Sequence, residues 1–147
     1  MLGILLPIHS LLRWAVLLLL LATIIKSLNG LISKRSFSKS DDKISLFMMI
    51  SAHTQLLVGI ILYFVSPMVQ FGNTSNEEAR FFTMEHSTMM IVAIVFMTLA
   101  RILSKKGKTD NAKFKRLFTY SLIALLIIIM AIPWPFPLMS HVVRQWF

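Results

Sequence analysis

The chain has 147 residues, of which 56% are hydrophobic and 14% charged, and its mean hydropathy of +0.76 is that of an integral membrane protein rather than a soluble domain. It contains no cysteine, which excludes disulfides, iron–sulfur clusters, thiolate catalysis and covalent haem attachment. The net charge of +9 would suggest nucleic acid in a soluble protein, but its placement along the chain points to membrane topology, and no nucleic-acid partner is expected.

The first apolar run, ILLPIHSLLRWAVLLLLLATIIK, is long enough to cross a bilayer, which takes roughly 20 mostly apolar residues. It has no basic stretch ahead of the apolar core and no small-residue cleavage site, so it is expected to be a retained helix rather than a signal peptide. Pro7 suits a first helical turn and Asn29-Gly30 a stop, which predicts a helix over 7–28. His9 and Arg13 stand out inside this run, because ionisable groups are costly in hydrocarbon and by default face a protein interior. Four residues apart, they share one helix face.

A polar loop follows, with Ser40 or Asp41 available to cap a second helix over 44–65, which Ser66-Pro67 ends. His53 lies roughly 14 Å from that helix's start at 1.5 Å per residue, near the bilayer midplane, with Gln55 close by. The short segment QFGNTSNEEAR leads into a third helix over 81–103 with Glu85 and His86 in its first turns. The basic stretch KKGKTDNAKFKR precedes a fourth helix over 117–132, broken by Pro133-Trp134-Pro135. The remaining tail, 133–147, is amphipathic and carries His141, read as solvated.

Five Lys and Arg fall in the first connection, counting Lys26, and seven in the third, from Arg101 to Arg116, against Arg80 alone in the second. Basic loops stay in the cytoplasm, so both termini are expected on the outer, periplasmic side. The fold class is all-α: a single membrane domain over 1–147, built as an up-and-down four-helix bundle in the lipid bilayer. In such a bundle the first and third helices run in the same direction and face each other diagonally. His9 and His86 then sit at one depth. A weak internal echo supports the pairing, since His9-Ser10 and His86-Ser87 are 77 positions apart and Gly30 and Gly107 match at the same offset.

Two depth-matched imidazoles can supply both axial positions of a haem iron, with His9 and His86 as the metal ligands. Haem b needs no cysteine. Arg13 could then meet a propionate, and Met89, Met90 and Phe96 could line the apolar part. Alternatively, Arg13 pairs with Glu85 across the bundle. His53 with Gln55 reads first as an interhelical hydrogen-bond cluster, then as a quinone contact, then as a second haem ligand opposite Met130. A zinc site from His9, Glu85, His86 and His141 is chemically conceivable, but adjacent Glu85 and His86 diverge by about 100° on a helix.

The motifs PIHSLLRW, AHTQLLVGIILYFVSP, RFFTMEH, KTDNAKFKR and IPWPF resemble a group of short four-span bacterial membrane proteins commonly labelled cytochrome b. The resemblance covers nearly the whole chain. It implies a multi-pass protein of the bacterial inner membrane, a haem b cofactor, and attention to His9, Arg13, His53, Gln55, Glu85, His86 and Trp134. The leading expectation is electron transfer through haem b, exchanging electrons with quinone. The alternative is a cofactor-free scaffold or accessory subunit of a larger membrane complex. A small proton-coupled transporter using Glu85 and the histidines is a third reading.

Overall fold

The computed structural model describes residues 1–73 and 75–134; His141 and most of the expected tail lie outside them. Four long helices account for nearly all of the described chain: α1 Leu2–Ser33, α2 Lys39–Val65, α3 Glu77–Lys105 and α4 Asp110–Ala131. No strand occurs among the described residues. Each helix is long and apolar enough to cross a membrane, with mean hydropathy of 1.8 to 2.1 over its most apolar window. Helices adjacent in the chain pack side by side, and α4 closes the ring against α1, so α1 and α3 lie across a diagonal. The expected four-helix bundle is therefore the architecture. The α2–α3 seam is the thinnest of the four contacts.

Large apolar side chains point both into the bundle and out from its surface. Leu20, Met48, Met97, Phe114 and Leu117 are fully buried, while Leu11, Leu57, Phe64 and Ile25 stand exposed on the outer surface. Small residues let the helices approach: Ala52, Ala93, Ala100, Ala124, Ser27 and Ser121 are all buried.

All four helices begin earlier than expected from sequence and α1 and α3 also end later, whereas α2 ends at Val65 as expected and α4 at Ala131, one residue short. Pro7 lies inside α1 rather than at its start; the amide it lacks would have bonded only the carbonyl of Gly3. Asn29-Gly30 does not stop α1, because Gly30 is where the Phe114 ring packs, and a Cβ there would overlap that ring. The helix ends instead at Lys34, in the left-handed conformation with φ 50°. The cap of α2 is Ser38, not Ser40 or Asp41. Its hydroxyl accepts from the Asp41 amide at 3.3 Å, and the Asp41 carboxylate accepts from the Ser38 amide at 2.9 Å, a reciprocal box. Helix α4 begins seven residues early because Thr109 caps it through the Ala112 amide at 3.1 Å. The basic stretch conceals a helical turn that buries Phe114.

Three ion pairs close the basic end. Asp41, only 1% exposed, accepts from Arg35 Nη1 at 2.6 Å and Nη2 at 2.8 Å, with Lys26 Nζ at 3.8 Å. The fork geometry is the strong bidentate form, and the hydrogen bonds to Asp41 push the Arg35 pKa upward. Arg101, on α3, donates to Asp42 Oδ1 at 3.0 Å, the Asp42 carbonyl at 2.7 Å and Ser45 Oγ at 2.7 Å. These contacts tie α3 to the start of α2 at that end.

Candidate functional site

At the opposite end the bundle opens into a cavity of about 610 Å³ along the α2–α3 seam. Its walls come from α1, α2, α3 and the end of α4, and are mostly apolar. Four of the six site residues expected from sequence line it: His9 and Arg13 from α1, Gln55 from α2 and His86 from α3. The diagonal placement of α1 and α3 thus brings the two depth-matched histidines to one space, as the topology predicts. Met90 lines the cavity as well, whereas Phe96 packs against Tyr120 with ring centroids 6.0 Å apart.

The other two expected residues lie elsewhere. His53 is on the exposed side of α2, where its ring Nδ1 lies 2.8 Å from the Met49 carbonyl one turn back. Residues two apart on a helix diverge by about 200°, so His53 and Gln55 do not cluster. Glu85 does not line the cavity, and its Oε1 accepts from Arg80 Nε at 3.1 Å. Among the described residues no three His, Asp or Glu side chains gather closely enough to hold a metal ion.

His86 owes its position to an irregular stretch of α3. Asn76 caps the first turn through the amides of Glu78 and Ala79. Residues Phe81–His86 then form a π-helix, whose widened turn adds a residue to the helix. The change in register is stabilised from outside the backbone. Tyr63 on α2 donates its hydroxyl to the Thr83 carbonyl at 3.0 Å, and Ser87 Oγ donates to the Phe82 carbonyl at 2.5 Å.

The ring of His86 is fixed by the end of α4. Its Nδ1 lies 2.8 Å from the Ala131 carbonyl. A nitrogen hydrogen-bonded to a carbonyl must be the protonated one, so Nε2 of the neutral ring keeps its lone pair. The sequence accounts for the availability of this carbonyl. In a continuing helix the Ala131 carbonyl would accept from the amide of residue 135, and residue 135 is proline, which has none. The same holds for Ile129, whose helical donor would be Pro133; its carbonyl accepts instead from Trp134 Nε1 at 2.7 Å. The Pro-Trp-Pro motif therefore frees two carbonyls, one taken by an indole and one by an imidazole.

His9 sits against Gly59 of α2, where a Cβ would come within 3.4 Å of its Cε1. Its Nδ1 is buried without a hydrogen-bond partner. Gln55, one turn before Gly59, donates Nε2 to the backbone carbonyl of His9 at 2.9 Å, leaving its Oε1 buried and unmatched. Arg13, one turn further along α1, lies over the Trp14 ring at 5.5 Å.

Gly59, Tyr63 and Thr83 shape the site yet escaped sequence reasoning. A lone glycine in LLVGIIL carries no sign of the ring it accommodates, and a π turn has no periodicity of its own. The Pro-x-Pro spacing was legible, since each proline removes a donor from a known carbonyl. Neither protein-family models nor curated proteins nor solved structures show a match to this chain.

Proposed function

We propose that the chain is a multi-pass protein of a bacterial inner membrane that binds haem b in this cavity and passes electrons, with quinone as the exchange partner. In this reading the basic end lies in the cytoplasm and both termini on the periplasmic side, in accord with twelve of the fifteen Lys and Arg in the first and third connections. The observation that carries the reading is the pair of imidazoles on diagonal helices lining one cavity, with the His86 tautomer set by the Ala131 carbonyl.

The residues present fit the group. The volume lies inside the range of roughly 300–1,000 Å³ of small-ligand sites, two imidazoles meet the needs of a six-coordinate iron, and Arg13 offers a cation for a propionate. His86 and His9 would hold the iron, and the hydrogen bond to Ala131 would make His86 a better donor through Nε2. When bound, the haem supplies reversible one-electron chemistry. The protein contributes the ligands, the orientation and a largely water-free apolar lining from side chains such as Met90.

Reduced-minus-oxidised spectra of the detergent-purified protein from haem-replete cells test the assignment. Soret and α bands of a low-spin b haem are expected, and His86→Ala should abolish the six-coordinate spectrum. A colourless protein would overturn the reading and leave the scaffold alternative.

A further inference from the structure

Two buried polar atoms on neighbouring helices have no hydrogen-bond partner: Nδ1 of His9 and Oε1 of Gln55. The two residues are already joined, because Gln55 Nε2 donates to the His9 carbonyl at 2.9 Å. A buried polar atom left unmatched bears the full desolvation penalty of its group. Gln55 Oε1 is an acceptor, and His9 Nδ1 becomes a donor in the tautomer that carries the ring proton there; a carboxamide has donor and acceptor on one planar group, so the amide that holds the backbone of His9 can also accept a hydrogen bond from its ring. Gly59 leaves the imidazole room to turn, the nearest approach to a hypothetical Cβ being 3.4 Å at Cε1.

We propose that Gln55 is the positioning residue of His9: its Nε2 fixes the His9 backbone and its Oε1 accepts a hydrogen bond from His9 Nδ1–H, so that His9 presents its own bare Nε2 to the ligand in the cavity. His86 obtains the same tautomer from the Ala131 carbonyl, so the two imidazoles are matched by different means, one by main chain and one by side chain. Side-chain control leaves the strength of the hydrogen bond open to substitution. The proposal rests on the haem reading for the identity of the ligand, but the Gln55–His9 bond itself does not.

Two measurements separate the two claims. In the haem-free protein, nitrogen-15 NMR of the His9 ring is expected to show protonated Nδ1 and bare Nε2, and Gln55→Leu to lose that preference. Protonated Nε2 in the unsubstituted protein, or no change in Gln55→Leu, would overturn the proposal whether or not haem binds. In the haem-loaded protein a stronger acceptor on Nδ1 gives the ligand more imidazolate character and stabilises ferric iron. Gln55→Glu should therefore lower the reduction potential and Gln55→Leu raise it. A purely structural role would move both variants in the same direction, and that result overturns the proposal. Gln55→Asn, which keeps the amide but shortens its reach, serves as the folding control and should give a smaller shift than Gln55→Leu.

Discussion

At the scale of single residues, the site and the ion pairs depend on atoms whose partners can be removed one at a time. Asp41 is enclosed, but its partner Arg35 is one-third exposed. The pair therefore ranks between the weak surface case and the strongly coupled buried one. Asp41→Asn should cost about 2 kcal/mol on that scale, read as a lower midpoint in detergent unfolding, and Asp41→Ala should cost more because the side chain's half of the capping box, which accepts from the Ser38 amide, is lost as well. Gly59→Val would place two methyl groups where the His9 ring packs. Its expected effect is loss of ligand binding with the bundle intact, measured as cofactor content against circular dichroism. His9, Arg13, Gln55 and His86 were legible in the sequence because a polar group in an apolar run is costly unless it turns toward a protein interior. His53 met the same criterion and lies outside the cavity; its ring is satisfied by the carbonyl one turn back, a local solution that spacing cannot distinguish from a tertiary one.

At the scale of helices, number and pairing followed from hydropathy, while the ends did not. Asn29-Gly30 read as a stop because glycine and asparagine usually terminate helices, but Gly30 is there for the Phe114 ring, a contact between positions 84 apart. Only the tertiary partner reveals it. Gly30→Leu should displace Phe114 and lower stability by about 2–4 kcal/mol, in the range of severe overpacking, while Gly3→Leu, with open space around it, should be silent in the same assay. The early start of α4 was hidden by lysines that read as loop, although Thr109-Asp110 is a capping sequence. Thr109→Ala is expected to cost about 1 kcal/mol, and fraying of that turn would appear as faster amide exchange at Asn111 to Lys113.

For the whole molecule, orientation is the property most open to direct measurement, because a chain without cysteine accepts single reporters with no background. A cysteine at Ser36 should react with a membrane-impermeant reagent only after the cytoplasmic face is exposed, and one at Asn73 from the outside of intact spheroplasts. The reverse pattern would invert the proposed topology. The up-and-down order was readable from four hydropathy peaks and short connections, and the charge count gave an orientation to test. The position of the void was not readable. It depends on which seam packs most loosely, and that is decided by side-chain volumes on four helices at once.

The fastening of the bundle is unequal along its length. Half-buried ion pairs and Phe114 clamp the basic end, while along the α2–α3 seam at the other end packing gives way to the cavity. The expected behaviour is that of a pair of tongs, held at the basic end and parting first at the α2–α3 seam. Opening free energies should fall from hinge to tip, so amide exchange should be slowest around Met97 to Ala100 and Leu117 to Ala124, and fastest around Leu56 to Tyr63. In the proposed membrane setting a flat ligand would then enter edge-on between α2 and α3, without crossing the polar loops and without unfolding the clamp.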